Sequence, residues 1–313
     1  MVDSKKQWKA WLYLSPALLL LLVFTVWPII NTVRLAFLEG YSSLAAAGNH
    51  KFTIGFQNFI DVVKDPDFLR NLGNTAILCV ATVPISTILA LLIAVCLNSI
   101  KALQKLLQTI FFLPYVTNSI AIGMVFAAMF NIVGLKGDGV TITKTAGIIN
   151  NIIMAFGGKA VNWINPGSEK WANMFVLIVY IVWNALPFKI LILLGGLQNI
   201  NKQYYDAAKV DGTSRARVFW RITVPLLSPM LAYVFITGFI GGFKEYSSVI
   251  GIFGEMGPAD DIHRLNTMVG YIYQQLDESQ AYGRAIAGAL ILFAIIMCVT
   301  AINLYVSKKK VHY

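Results

Sequence analysis

The chain has 313 residues, of which 57% are hydrophobic and only 13% charged. Soluble domains carry about 25% charged residues, so the composition excludes an ordinary water-exposed globule and implies an integral membrane protein. The net charge of +10 would suit a nucleic-acid partner if the basic residues formed one patch, but they are parcelled out between long apolar runs, which excludes that reading.

The first predicted element runs over about 11–33. It follows Lys5, Lys6 and Lys9 and contains Pro16 and Pro28. The apolar run is too long for a secretory signal, and no small-x-small cleavage site follows it. Residues 71–100, 106–135 and 285–307 contain no charged residue, and each exceeds the roughly 20 apolar residues that cross a bilayer. Trp171–Leu197 has one charge, Lys189, and Ile222–Phe243 has none. Six spans follow, at about 11–33, 72–97, 106–130, 172–197, 224–252 and 285–306. The runs are continuous and lack period-2 alternation, so they predict an all-α bundle and not a barrel. Pro84, Pro114 and Pro187 lie within spans and read either as tolerated kinks or as bends that widen a central path.

Charge fixes the expected orientation. Segments 1–10, 98–105, 198–222 and 307–313 together carry a balance of +10, and 34–71, 131–171 and 254–284 a balance of −1. Basic residues concentrate on the cytoplasmic side, so both termini are expected there. The 1–10 and 307–313 stretches then read as cytoplasmic tails, with Lys308-Lys309-Lys310 as a stop-transfer anchor. Between spans, 54–70 places Phe56, Phe59, Ile60 and Val63 at helical spacing, which predicts a short interfacial helix, and 145–156 reads alike. Trp163 and Trp171 sit where aromatic residues anchor at an interface. Lys189 is expected to snorkel toward the cytoplasmic surface. Cys79, Cys96 and Cys298 all lie within spans and form no CxxC pair, so neither a disulfide framework nor a metal site is expected.

The longest cytoplasmic loop, 198–223, carries the most specific pattern. Ala207 and Ala208 favour helix, Asp211-Gly212 stops it, and Thr213 or Ser214 is placed to cap a second helix. That helix puts Val218 and Ile222 on one face and Arg217 and Arg221 on another. Pro225 marks the approach to the fifth span. The result is a helix-turn-helix with small residues at its tip, suited to insertion into a partner's groove.

This loop resembles the EAA loop of binding-protein-dependent ABC permeases, whose pattern is EAA, three residues, Gly, nine residues, Ile-x-Leu-Pro. Ala207, Ala208, Gly212, Ile222 and Pro225 match at that spacing; Asp206 replaces the Glu and Val224 the Leu. The resemblance extends to Phe56-x-x-Phe59, Asp65-Pro66-x-Phe68, Asn74-Thr75, Leu113-Pro114-Tyr115, Trp163-Ile164-Asn165-Pro166, Leu194–Leu197 and Gly283-Arg284-Ala285-Ile286-Ala287. It covers nearly the whole chain and is similar to the first permease of a heterodimeric pair in the carbohydrate-uptake subfamily. It implies a type I importer permease fold in a bacterial plasma membrane, with the loop as coupling helix. Tyr205, Asp206, Ala207, Ala208, Asp211, Gly212, Arg217, Phe219 and Pro225 would then meet the ATPase. The implied partners are a second permease, two nucleotide-binding ATPase subunits, an extracellular solute-binding protein and a sugar.

No phosphate loop is present, since Gly157-Gly158-Lys159 lacks the earlier glycine and the Ser/Thr. The chain is therefore expected to be a transport subunit and no enzyme, binding no cofactor itself, with ATP and Mg used by the partner ATPase. Intramembrane polar groups are functional candidates, and Lys244-Glu245 stand out, projecting about 100° apart on a continuous helix. By the resemblance, Tyr115, Asn118, Asn184, Phe188, Phe243 and Tyr246 join Lys244 and Glu245 along the substrate pathway, rings stacking on sugar faces and amides bonding hydroxyls. The alternative for Asn118 and Asn184 is a helix–helix hydrogen bond. A glycerol-phosphate or another polar solute is the alternative cargo. An ion-coupled secondary transporter predicts an inverted repeat, which the sequence does not display. A membrane scaffold gives no reason for the EAA-type loop.

Overall fold

The computed structural model describes residues 7–42, 51–100, 104–135, 142–254, 265–277 and 280–310. The predicted anchor lysines Lys5 and Lys6 and the last residues of the basic tail, 311–313, lie outside them. The chain divides into two compact units, Met1–Pro66 with Ile272–Phe293, and Asp67–Tyr271 with Ala294–Tyr313.

In the first unit, α1 (Gln7–Leu21) passes through a π-helical turn, Leu22–Val26, into α2 (Trp27–Ala36). Its apolar side chains are exposed along the whole length, as expected of a helix whose solvent is lipid. The amphipathic α3 (Gln57–Lys64) follows. Asn58 organises the connection between them. Its buried amide donates to the carbonyls of Ala36 and Leu38 at 2.9 and 2.8 Å and accepts from Gly40 N at 3.4 Å. These bonds satisfy carbonyls that the end of α2 leaves free. Phe37 packs against Phe56 and Phe59, and Arg284 faces Asp61 at 3.6 Å.

The second unit is built on two long helices, α4 (Pro66–Ser99) and α8 (Lys170–Gln198). Between them in sequence come α5 (Gln104–Val116), α6 (Ser119–Phe130), the strands β1 (Ile132–Leu135) and β2 (Ile142–Ala146), and α7 (Ile148–Ala155). The strands pair antiparallel; this two-stranded ribbon is the exception to an otherwise helical fold. After α8 come α9 (Lys202–Val210), α10 (Arg215–Val218), a second π-helical segment Phe219–Thr223, α11 (Val224–Leu226), α12 (Ser228–Phe243), α13 (Ser247–Phe253), α14 (Met268–Asp277) and α15 (Tyr282–Lys310).

Four helices are long and apolar enough to cross a membrane, and the number reaches six if each of two bent pairs is one span. Leu106–Val116 and Ser119–Phe130 meet at 96°, and Arg215–Leu226 and Ser228–Phe243 at 66°. The reading of 106–130 as one kinked helix is thus corrected. Asn118 leaves the helical region and caps α6, its side chain accepting from Ile120 N at 2.9 Å and Ala121 N at 3.4 Å. An Asn cap satisfies donors that a fresh helix start would leave bare.

Two apolar clusters hold this unit. One gathers Leu78, Phe130, Trp163, Leu177, Tyr180 and Val249. The other joins Ala90, Ala94 and Leu97 of α4 to Ile190, Leu193 and Leu194 of α8, with Leu227 and Val234. Trp163 is a correction: it is 8% exposed, not an interfacial anchor. Its indole N–H donates to Asn150 Oδ1 at 3.1 Å, and its ring lies against Phe130, Trp171 and Phe175. Trp171 itself remains exposed. The tightest helix crossing is between α6 and α13. A β-carbon on Gly123 would lie 2.7 Å from the Cα of Gly251, so the two backbones meet only because both residues lack side chains.

Candidate functional site

Two places combine unusual geometry with the residues singled out above. The first is the hairpin from α9 to α11. Asn201 caps α9 by accepting from Gln203 N at 3.0 Å. At the other end Thr213 N donates to Ala208 O at 2.9 Å and Gly212 N to Lys209 O at 3.1 Å, with Gly212 at φ +65°. That pair of bonds, closed by a left-handed residue, is a Schellman motif; it explains why glycine stands at 212. Ser214 occupies the start of α10, but its side chain makes no capping bond, contrary to expectation.

The hairpin is tied together by Tyr205, whose hydroxyl is 3.3 Å from Thr223 Oγ1. Ala208 is buried, whereas Asp206, Ala207, Asp211, Gly212 and Arg217 are exposed and Phe219 is half-buried. Asp206 pairs with Lys209 at 3.4 Å on the surface. Pro225 lies in the first turn of α11. The sequence reading omitted Val210 and Trp220, which are 89% and 67% exposed. An apolar tip on a capped hairpin is a surface shaped for a partner. The available signal was a lone valine beside the Asp-Gly stop.

The second place is a cavity of about 300 Å³ between α4, α5, α8 and α12. Its lining includes Ser86, Tyr115, Asn184, Phe188, Lys189 and Glu245. Tyr115 and Phe188 stack with centroids 5.8 Å apart and planes 19° from parallel. Four of the eight predicted pathway residues therefore converge here: Tyr115, Asn184, Phe188 and Glu245. The other four do not. Asn118 spends its side-chain oxygen on the α6 cap, Phe243 is buried at the end of α12, Lys244 is exposed and Tyr246 half-buried in the break that follows.

That break corrects the picture of Lys244 and Glu245 on one continuous helix. α12 ends at Phe243, Tyr246 takes φ −149° and ψ −47°, and α13 restarts at Ser247. Glu245 Oε1 accepts from Ser248 N at 3.1 Å, so the carboxylate sits at the positive end of a helix start, where an anion is favoured. Gly241 and Gly242 precede the break; a β-carbon on Gly242 would meet Cys79 Sγ at 2.7 Å.

Lys189 overturns a further expectation. Instead of reaching for a surface it is 4% exposed. Its ammonium donates to Ser86 Oγ at 2.6 Å, Thr87 Oγ1 at 3.0 Å and Val83 O at 3.2 Å. Three acceptors meet three N–H bonds, and no carboxylate pairs with it among the described residues. Gly238 makes room, since a β-carbon there would lie 3.3 Å from the Lys189 Nζ. Tyr180 steadies the elbow at the cavity's edge by donating its hydroxyl to the Ser119 carbonyl.

Residues 84–312 match the family described as "Binding-protein-dependent transport system inner membrane component". Among curated proteins, the chain is 28% identical to the lactose transport system permease protein LacF of Rhizobium radiobacter over 92% of this chain and 90% of that one. It is 29% identical to the arabinooligosaccharides transport system permease protein AraP of Halalkalibacterium halodurans, over 94% and 86%. The sulfoquinovosyl glycerol transport system permease protein SmoG of Agrobacterium fabrum is 28% identical over 99% and 97%. Among solved structures, a chain of a bacterial ABC transporter involved in the import of the acidic polysaccharide alginate superposes with a TM-score of 0.76 at 20% identity, covering 97% and 96%. The fold is therefore that of an importer permease.

Proposed function

Because the chain belongs to the family of binding-protein-dependent transport system inner membrane components, we propose that it is one of two permeases of a carbohydrate importer powered by a separate ATPase. It is a multi-pass membrane protein. In this reading six spans cross the bilayer with both termini in the cytoplasm, and the hairpin 202–226 docks in a groove of one ATPase subunit.

The observation that carries the proposal is the hairpin itself. A Schellman-closed helix holds an almost fully exposed Val210 at its tip, and its second arm leads to the bend before α12. Closure of the ATPase pair on ATP and Mg would push the tip, and the second arm would pass the displacement into α12, which lines the cavity. The cargo is read as an oligosaccharide. LacF, AraP and SmoG are named for sugars or sugar conjugates, and a solved relative holds an alginate pentasaccharide on its periplasmic protein. Stacked Tyr115 and Phe188 offer ring faces for a sugar, and Asn184 offers both a donor and an acceptor. An extracellular binding protein would deliver it to the outer face.

The test is reconstitution. The complete complex in liposomes, given ATP and its binding protein, is expected to accumulate labelled arabinooligosaccharide, lactose or another sugar in a screened set. Accumulation by this chain alone, without nucleotide hydrolysis, would refute the proposal.

A further inference from the structure

A groove of about 270 Å³ lies between α12 and the final turns of α15, far in sequence from the cavity residues. It is lined by Ser228, Leu231, Phe235 and Ile236 on one side and by Asn303 and Val306 on the other. The walls are almost wholly apolar, with two exceptions. Ser228 Oγ and Asn303 Nδ2 are both inaccessible to solvent and make no hydrogen bond among the described residues. A buried donor left unmade costs about 1–3 kcal/mol, and this groove collects two.

Both groups are matched by acceptors. Asn303 Nδ2 only donates, and the Ser228 hydroxyl donates as readily as it accepts. A neighbouring transmembrane helix is a poor source of acceptors, because its carbonyls are spent within the helix. A glycerophospholipid is a good one: its ester carbonyls and phosphate oxygens accept and have no internal donor to satisfy them. The depth agrees. Ser228 begins α12, and Asn303 lies five residues, or roughly 7.5 Å of helix rise, before Lys308. The exposed Lys308 stands where a negative headgroup would be met, and basic residues at the end of a span favour anionic lipid.

We infer that this groove is a binding site for an anionic phospholipid of the inner leaflet, its acyl chain lying along Leu231, Phe235 and Val306 and its glycerol-phosphate region bonded to Ser228 and Asn303. The leaflet assignment rests on the proposed cytoplasmic carboxyl end; the site does not.

The experiment uses the complete transporter complex, released in mild detergent, offered equal amounts of phosphatidylglycerol and phosphatidylethanolamine, and weighed by native mass spectrometry. The intact complex is expected to retain phosphatidylglycerol in preference. A Ser228→Ala, Asn303→Leu form is expected to lose about tenfold in retention, the scale of two hydrogen bonds to a charged group partly replaced by detergent. Ala232→Phe, which fills the groove and keeps both donors, is expected to lose it too. Equal retention in all three forms overturns the inference. So does loss of the second permease from the Asn303→Leu form, which would make the groove a seam between subunits. A reporter fused after Tyr313 scores the orientation separately: an external reporter would move the lipid to the outer leaflet without changing the number bound.

Discussion

The Lys189 ammonium lies 2.6 Å from Ser86 Oγ, joining two long helices whose contact residues are more than 100 positions apart in sequence. A buried charge held only by neutral oxygens makes an asymmetric prediction. Ser86→Ala leaves the ammonium short of an acceptor, and is expected to destabilise by about 1–3 kcal/mol. Lys189→Met removes the charge altogether; Ser86 and Thr87 keep their bonds to Thr82 and Val83 carbonyls, so this variant is expected to melt at or above the parent temperature. Thermal denaturation of the detergent-solubilised complex checks the order of the two.

The crossing of α6 and α13 predicts intolerance at Gly123. An added methyl would enter the backbone of Gly251 at 2.7 Å, and backbone, unlike a flexible side chain, has nowhere to turn. Gly123→Ala is expected to lower the folded yield severalfold and to depress the melting temperature, with overpacking costing about 1–3 kcal/mol. Gly195→Ala serves as the control, because nothing lies within 4 Å of its β-carbon position. Size-exclusion profiles of both forms decide it.

At Gly212 the constraint is conformational and not steric. Its φ is +65° and its β-carbon position is open. Gly212→Val is expected to cost about 1–2 kcal/mol in the left-handed region and to loosen the hairpin, while Gly212→Asn is milder. The proposed coupling role predicts that the valine form hydrolyses ATP but transports less solute per ATP, with the asparagine form intermediate. An unchanged ratio of transport to hydrolysis would separate Gly212 from coupling.

For the cavity, Tyr115→Ala and Phe188→Ala remove one member each of the stacked pair. Each is expected to raise the half-saturating concentration for sugar uptake by about three- to tenfold, in line with roughly 0.5–1.5 kcal/mol for an aromatic contact. Asn118→Ala is expected to act differently: it removes a cap and should lower stability by about 1 kcal/mol with little change in half-saturation. Initial-rate uptake curves in proteoliposomes distinguish the two effects.

Much of this architecture was legible because hydropathy sets where helices can be. The runs that became α4, α8 and α15 are charge-free or nearly so, and the Asp211-Gly212 stop announced the hairpin's turn. The interfacial α3 and α7 were visible in their spacing. The breaks were not, because both fall inside apolar runs where average hydropathy is blind to backbone angles. Asn118 did carry a signal, an N-cap residue four positions after Pro114. Lys189 carried none, because its partners lie on a helix about 100 residues away, and a local rule about long basic side chains sent it to the wrong place. Trp163 misled for a similar reason: Asn150 supplies the acceptor that lets an indole go fully inside.

The gaps at Thr117–Asn118 and Lys244–Tyr246 have a consequence for where oil and water run. Peptide groups released from a helix need hydrogen-bonding company, and hydrocarbon tails offer none. Both unwound points must therefore face the wet side of the wall, whatever the tilt of the surrounding rods. The seam they mark is a natural conduit for a hydroxyl-rich passenger, which trades hydration for bare peptide groups on its way through.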